Sequence, residues 1–392
     1  MLFTVKDRTS LEPKSHVETA WEFYDRSAWP EIERARAFLD NAIANYPEHE
    51  RAELIARFSS NNDQHFRSAT FEVILFTVFC ALGCKIDAHP ELPSGNRSRP
   101  DFLVVTPDGH SLYVEAVFAS ERRAKDAAAE KRTNVVLQSL EKVDSPNFFL
   151  GFHSEGDPDH PPNGRKLRRA VEEWLVTLDP DQVTAELDLF GAYRIPEMQW
   201  KSGDWTVSIE AHVKKPDRRG KGQSTVGIIS TGAGWRNVSE PIRDAICEKG
   251  NKYGELQYPL MIAVNVDTPV LEQIDEMQAL FGQEQVVFGS DDPEEEPRLT
   301  YAPNGAWNGP NGPQYTRISG AWLFHDLSLT NMTRRKQTVY FHPNAQRPLP
   351  NFFRIFPHAG TEGAKMIWQD GVSFIDVLGL HPNWPHDPQD VG

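Results

Sequence analysis

Hydrophobic residues recur every three or four positions through much of the first sixty residues, which is the spacing of one face of an α-helix. This pattern predicts amphipathic helices at 31–43 and 48–58. A third predicted helix, at 64–83, is apolar on nearly all sides, as is typical of a buried helix. The polar run 60–63 should cap its start, and Gly83 its end. The N-terminal region is therefore predicted to be helical.

Shorter apolar runs after residue 83 predict strands at 84–88, 102–106 and 112–118. The last two are joined by the turn sequence TPDG at 106–109, which is typical of a hairpin. A charged, alanine-rich helix at 121–142 and a buried strand at 147–152 are predicted next. The order helix, three strands, helix, strand indicates an α/β unit with a mixed sheet.

Further strands are predicted at 205–213, 225–230, 260–266 and 320–325, with a helix at 240–253. Ten prolines and nine glycines in 301–392 predict an irregular region wrapped over other elements. We expect four regions: a helical N-terminal segment (1–62), a core (63–155), an α/β extension (156–300) and a Pro/Gly-rich C-terminal region packed on the rest (301–392).

The composition is that of a globular protein, with 39% hydrophobic and 25% charged residues. Three cysteines and no CxxC pair argue against a disulfide scaffold or a cysteine zinc site. We interpret Cys80 and Cys84 as small buried hydrophobes. The N-terminus has no apolar signal region, and the longest apolar run, 71–83, is too short to span a bilayer. The expectation is a cytoplasmic protein that does not bind membranes.

Three carboxylates stand in unusual settings. Glu72 is alone in an apolar helix, so it must meet a cation, a metal or water, unless it lies at an exposed edge or pairs with Arg67. Asp101 opens one strand of the hairpin. Glu115 lies in the middle of the other strand, on the face shared by Tyr113 and Val117. Two carboxylates on neighbouring strands can hold Mg²⁺, which activates water for attack on a phosphate.

The spacing Pro100-Asp101, then Glu115, with the helical Glu72 before them, resembles the PD-(D/E)XK nuclease superfamily, which includes restriction endonucleases. The resemblance implies an α/β, restriction-endonuclease-like core with a mixed central sheet flanked by helices. It implies Asp101, Glu115 and the carbonyl of Ala116 as metal ligands for Mg²⁺ (or Mn²⁺), with Glu72 as an accessory catalytic carboxylate.

The chain departs from this family two residues after Glu115. The family has a lysine there that orients water and stabilises charge, whereas this chain has Val117. Another residue must supply the cation, or the site is impaired. We select Lys131 of the following helix as the catalytic replacement, with Gln138 as a polar positioning candidate. Lys249 and Lys252, on a later helix, face either solvent or a groove.

The net charge of −15, from 41 basic and 56 acidic residues, argues at first against a polyanion partner. Ten acidic residues and one arginine in 266–300 account for −9 of that charge. Against the remainder, a basic cluster stands out on a predicted hairpin tip suited to phosphate contacts. Its members are Lys214, Lys215, Arg218, Arg219 and Lys221. Two further basic runs lie at 165–169 and 334–336.

The leading hypothesis is thus a Mg²⁺-dependent endonuclease that hydrolyses DNA phosphodiester bonds, as in restriction or phage defence. The alternative is a catalytically impaired nuclease fold that serves as a DNA-binding or assembly module, which the valine at 117 favours. RNA in place of DNA, and a homodimer in place of a monomer, are left open by the sequence.

Overall fold

Two compact units make up the described part of the chain. In the computed structural model, residues 121–123, 156–159, 161–162, 191–193, 204, 221–225, 232–237, 269–270, 288–297, 363–364 and 388–392 are outside the description, and 124–130, 155 and 228–231 are described by their backbone alone. The first unit comprises Met1–Glu12, Thr19–Glu121 and Asn237–Gly392, and the second Pro13–Glu18 and Arg122–Arg236. Most of the second unit is therefore an insertion in the sequence of the first.

Four helices open the first unit: α1 (Ala20–Arg26), α2 (Pro30–Asn45), α3 (Glu48–Ser59) and α4 (Asp63–Ala81). The helices predicted at 31–43, 48–58 and 64–83 are confirmed, and 11 of the 19 residues of α4 are buried. The Asn62 side chain caps its start by accepting a hydrogen bond from the Gln64 N–H at 2.9 Å.

The end of α4 is fixed by a Schellman motif. Gly83 adopts φ +76°, and the Cys84 and Gly83 N–H groups donate to the carbonyls of Phe79 and Cys80. The interpretation of both cysteines as buried was wrong, since Cys80 is exposed and Cys84 is half-buried. They lie in and just after the last turn of α4, where the helix emerges from the core.

Three antiparallel strands follow: β1 (Lys85–Ala88), β2 (Phe102–Val105) and β3 (Ser111–Ala119). They correspond to the strands predicted at 84–88, 102–106 and 112–118. The turn between β2 and β3 has Gly109 at φ +88°, a conformation that glycine adopts without strain.

The second unit has its own sheet, with strand order β5-β6-β4-β7. Its elements are α5 (Ala124–Leu140), β4 (Phe148–Glu155), α6 (Gly164–Leu175), α7 (Pro180–Phe190), β5 (Glu197–Ser202), β6 (Trp205–Val213) and β7 (Val226–Thr231). The strand predicted at 147–152 is present as β4, but it pairs with β6 and β7 rather than extending the sheet of β1 to β3. The helix predicted at 121–142 and the strand predicted at 147–152 therefore belong to the second unit, and not to the unit that contains β1 to β3.

The chain then returns to the first unit with α8 (Ser239–Gly250), β8 (Leu260–Val266) and α9 (Gln273–Phe281). Strand β8 pairs in parallel with β3, with Glu115 opposite Ile262. In the first unit β3 is therefore followed by α8 and β8, and not by the helix and strand predicted at 121–142 and 147–152, because the second unit is inserted before α8.

The C-terminal region is more regular than its proline and glycine content predicts. After the short strands β9 (Glu284–Val287), β10 (Arg298–Tyr301), β11 (Asn308–Gly309) and β12 (Gly312–Pro313) come β13 (Ile318–His325), β14 (Gln337–Phe341), β15 (His358–Glu362), β16 (Lys365–Gln369) and α10 (Phe374–Leu378). The last four strands complete an eight-stranded mixed sheet of order β1-β2-β3-β8-β13-β14-β15-β16.

Helices cover both faces of this sheet in the first unit. On one face, α4 and the other N-terminal helices share a core with Val114 of β3 and Met261 of β8. On the other face, α8 and α9 share a core with Tyr113 of β3 and Ile262 of β8. The mixed α/β architecture with flanking helices is confirmed. None of the helices in the described residues is long and apolar enough to cross a bilayer.

Candidate active site

The hairpin of β2 and β3 brings Asp101 beside Glu115. Phe102 pairs with Val114 across the hairpin, so Asp101, one residue earlier, lies opposite Glu115. Asp101 Oδ2 accepts a hydrogen bond from the backbone N–H of Ala116 at 2.6 Å. The Asp101 side chain is 19% exposed, whereas Glu115 is buried. Asp101 is thus the carboxylate of the pair that solvent reaches.

Glu72 is held inside the molecule by two partners from the N-terminal helices. Tyr46 Oη donates to its Oε1 at 2.5 Å, and Arg57 Nη2 pairs with its Oε2 at 2.5 Å. Glu72 is only 2% exposed. The alternatives of an exposed edge or a pair with Arg67 are both wrong, because Arg67 pairs instead with Asp267 and Asp326.

A histidine that sequence analysis did not single out completes this side of the site. His89 follows β1 and adopts φ +48°, a left-handed conformation that is rare outside glycine. Its backbone N–H donates to the Asp101 carbonyl at 2.8 Å. Its Nε2 lies 3.7 Å from Asp101 Oδ1, and its Nδ1 lies 3.3 Å from Glu50 Oε2. The left-handed turn therefore places the imidazole between two carboxylates.

Glu72, His89 and Asp101 form a set of ligand atoms that could surround one metal ion. One atom from each lies within 4.8 Å of the others. Two carboxylates suit Mg²⁺ or Mn²⁺, and an imidazole shifts the preference towards a transition metal. Among the described residues, no other group of three His, Cys, Asp or Glu side chains meets this distance criterion. The resemblance implied Asp101 but not His89 as a ligand.

Glu115 faces α8 and the segment after it, where it meets two ammonium groups. Lys249 Nζ and Lys252 Nζ each lie 3.1 Å from Glu115 Oε1, and the Tyr253 hydroxyl donates to Oε2. The two lysines therefore face a carboxylate of the site, which answers the question of solvent or groove left open by the sequence.

Burial and neighbouring charge perturb the ionisation of this site. Burial, then the negative charge of Glu115, raises the pKa of Asp101 to about 6, against the opposing effect of the His89 contact. The contact with Asp101 in turn raises the pKa of His89. Burial lowers the pKa of Lys249, but the Glu115 carboxylate outweighs it, so the net shift is upward and the ammonium form is favoured.

The position of the family lysine is occupied by an apolar side chain with apolar contacts. Val117 is half-buried and packs against the apolar cluster on the α8 face of the sheet. Ala116, which the resemblance assigns a ligand role through its carbonyl, pairs with Ala263 of β8. Its N–H is the group that contacts Asp101.

Lys131, selected from the sequence as the replacement cation, is an exposed residue of α5 in the second unit. Gln138 of the same helix accepts a hydrogen bond from the His16 backbone N–H at 3.1 Å. The cations that contact Glu115 come instead from α8 and the residues after it. Tyr46, Arg57 and Tyr253 were also missed, because nothing local in the sequence links them to the carboxylates.

The basic residues of the predicted nucleic-acid cluster lie in different environments in the structure. Lys214 is buried, donates from Nζ to the Ser145 carbonyl at 2.8 Å and lies over the Phe149 ring. Arg219 pairs with Asp181 at 2.6 Å. Lys215 and Arg218 are exposed, and Lys221 lies outside the described residues. Phosphate contact by this cluster stays a prediction, and Lys214 has an internal partner.

Comparisons with protein families, with curated proteins and with solved structures find no match for this chain.

Proposed function

We propose that this protein is a metal-dependent nuclease that hydrolyses phosphodiester bonds in DNA. The observation that carries the proposal is the convergence on Asp101 of Glu72, His89 and Glu115 from three other segments of the first unit. The order α4, β1, β2, β3, α8, β8 supports it, because that is the order of elements in the nuclease core that the sequence resembles.

The metal ion in this proposal is Mn²⁺ or Mg²⁺, held by Asp101 with Glu72 and His89. When bound, such an ion lowers the pKa of a coordinated water and neutralises charge on the scissile phosphate. The donor set fits, since both carboxylates lie close to the imidazole and the pKa of Asp101 leaves it ionised at neutral pH. We expect Mn²⁺ to bind more tightly than Mg²⁺, because nitrogen ligands favour it.

In this proposal Lys249 supplies the positive charge that the lysine of the family motif supplies. Its ammonium group lies 3.1 Å from Glu115, is 18% exposed, and is close enough to Asp101 to be influenced by its charge. From there it orients a water beside the two carboxylates and offers positive charge to a phosphate. Lys252 lies at the same distance from Glu115 and is more exposed, so it contributes to the phosphate side of the site.

The test is cleavage of duplex, single-stranded and branched DNA, and of RNA, with Mg²⁺ or Mn²⁺. We expect Asp101→Ala to abolish cleavage and Lys249→Met to slow it by about 100-fold, the effect of removing one charge-stabilising donor. Val117→Lys in the Lys249→Met protein should restore part of the rate by returning the ammonium to the family position. Lys142→Met, at an exposed lysine of the second unit, is the matched control.

Two results would contradict the proposal: no cleavage by the wild-type protein with either metal, or equal cleavage by the wild-type and Asp101→Ala proteins. Restoration by Val117→Lys would separate a role for the ammonium group from a merely structural one. If DNA is inert and RNA is cut, the reaction class stands and the substrate changes.

A second candidate function is DNA binding or assembly without catalysis. It is favoured by the complete internal pairing of Glu115 with Lys249, Lys252 and Tyr253, which leaves this carboxylate satisfied without a metal. Fluorescence anisotropy with labelled DNA separates the two. Tight binding without cleavage, unchanged in Asp101→Ala, would favour the non-catalytic role.

A further inference from the structure

The outer face of the second unit's sheet carries a cluster that the proposed nuclease site does not use. In β4, Leu150 and Phe152 are buried, so Gly151 and His153 face the other way. In β6, Ile209 and Ala211 are buried, so Glu210 and His212 also face outward. The two strands are antiparallel, with Gly151 opposite Glu210 and His153 opposite Ser208. One glutamate and two histidines therefore share a face on adjacent strands.

Both imidazoles approach the same carboxylate oxygen. His212 Nε2 lies 2.9 Å, and His153 Nε2 lies 3.2 Å, from Glu210 Oε2. The Nε2 of His153 is out of contact with solvent and makes no hydrogen bond in the described structure. A buried polar atom without a hydrogen bond is uncommon in native proteins and needs an explanation, of which ion binding is one.

A glycine keeps the space beside these atoms open. A Cβ at position 151 would lie 3.0 Å from His212 Nε2 and 3.1 Å from Glu210 Oε2. Contacts that short are crowded, so any larger residue would press on two of the three converging atoms. Glycine in a strand interior is unfavourable by about 0.5–1 kcal/mol relative to alanine and often marks a close approach.

We propose that His153, Glu210 and His212 bind a divalent transition-metal ion such as Zn²⁺. Two imidazole nitrogens and one carboxylate oxygen form a donor set that Zn²⁺ and other first-row metals accept, with remaining positions open to water. Metal–ligand bonds of about 2.0–2.2 Å place neighbouring ligand atoms a little over 3 Å apart. The two nitrogen–oxygen distances are already close to that spacing, whereas the two Nε2 atoms lie more than 4.8 Å from each other, so one ring must turn before both nitrogens reach the same ion.

The charge state of the carboxylate suits this role. Burial raises the pKa of Glu210, but its contacts with His153 and His212 outweigh burial and lower the pKa overall. The side chains of His153 and Glu210 are 37% and 27% exposed, so an ion can enter from solvent. Without a metal, the same three groups form an ion-paired cluster, and that is the outcome against which the proposal is tested.

Calorimetric titration of the chelator-treated full chain with Zn²⁺ measures the site. Titrations in a His89→Ala background remove the imidazole of the first unit's cluster, so the remaining binding reports on the second unit. We expect one Zn²⁺ per chain in that background. His153→Ala and His212→Ala should each weaken binding by more than the roughly 10- to 100-fold that loss of an outer-shell partner produces. Gly151→Ala should weaken it less, and His49→Ala, at an exposed histidine, should leave it unchanged.

Co²⁺ gives a second measurement that does not depend on the folding of the His153 and His212 variants. In the His89→Ala protein, intense visible absorption with one Co²⁺, lost on addition of Zn²⁺, is expected for a four- or five-coordinate site. Absence of Zn²⁺ binding in the His89→Ala background, or equal affinity in folded His153→Ala, would overturn the proposal. Failure of DNA cleavage would not affect it, because no residue is shared with the nuclease site.

Discussion

Glu72 and Glu115 flank Asp101. Each carboxylate is paired with a tyrosine hydroxyl and with basic side chains, but the basic side chains differ. Each accepts a tyrosine hydroxyl, from Tyr46 or Tyr253. Glu72 meets the guanidinium of Arg57, whereas Glu115 meets two lysine ammonium groups. An arginine is a rigid, permanently charged partner, while a lysine is a compact charge on a flexible stem.

This difference indicates separate roles on the two sides of Asp101. The Arg57–Glu72 pair anchors α3 to α4, and the lysines near Glu115 can be redirected towards an anion. Asp101 has neither arrangement: its contacts are the Ala116 N–H and His89, and its pKa is raised to about 6. The carboxylate with the least compensation is the one best placed to gain from a metal ion.

The largest effect that tests this contrast is removal of Glu72. Glu72→Ala leaves the Arg57 guanidinium without its buried partner, and breaking such a pair typically costs about 3–5 kcal/mol. Because Arg57 is partly exposed, we expect a loss of about 3 kcal/mol in urea denaturation. Glu115→Ala should cost less, since its lysines can turn to solvent. A larger loss for Glu115→Ala would reverse the assignment of anchor and reactive sides.

A second test uses pH. The raised pKa of Asp101 means that the folded state holds its proton more tightly than the unfolded state, so this group's contribution to stability falls as pH rises from about 4 through 6. The raised pKa of His89 acts in the same direction at somewhat higher pH. Asp101→Asn should therefore be more stable than wild type at pH 7, by about 3 kcal/mol, and the difference should shrink towards pH 4.

The measurement for this second test is urea denaturation at pH 4, 5, 6 and 7 in the presence of a chelator. Addition of Mn²⁺ should then stabilise the wild-type protein but not Asp101→Asn, because binding to the folded state raises its stability. A wild-type stability that rises steadily over this range relative to Asp101→Asn would show that Asp101 is not destabilised by ionisation.

The smallest effects come from the two tyrosines. Tyr46→Phe and Tyr253→Phe each remove one hydrogen bond to a charged acceptor, which is worth about 1.5–3 kcal/mol. We expect both losses to lie near the lower value and that of Tyr46→Phe to be the larger of the two, because Arg57 is the sole cation bonded to Glu72 in the described structure. Tyr253→Phe should lie near the lower value, because two lysines remain. Equal losses of stability in thermal or urea unfolding would mean that Arg57 and the two lysines compensate the charge of their glutamates equally well.

The carboxylates could be predicted from sequence because their placement depends on local rules. Alternation along β3 fixes the face of Glu115, and the hairpin turn fixes its register with Asp101. The strand bounds at Trp205–Val213 and Leu260–Val266 were also predicted as they are observed. Such elements have uninterrupted apolar or alternating patterns whose limits are set by neighbouring turn residues.

The partners of those carboxylates could not be predicted, because they depend on distant pairing. Lys249 follows Glu115 by more than a hundred residues, and Arg57 reaches Glu72 from a different helix. The position of His89 depends on a left-handed backbone conformation that the local sequence does not predict. The strand at 147–152 was assigned to the wrong sheet for the same reason: a strand's apolar pattern says that it is buried, but not beside which strand.

The insertion of the second unit has a consequence for how the chain folds. Strands β3 and β8 are adjacent in the sheet, yet ~140 residues separate the end of one from the start of the other. Closing a loop of that length costs conformational entropy and so opposes pairing of the two strands. This cost grows only with the logarithm of the loop length. If the inserted unit collapses first, it brings its two ends within reach and shortens the effective loop. Assembly of Asp101, Glu115 and Lys249 would then wait on a domain that contributes none of them, and mutations that slow folding of the insertion would delay the appearance of the site.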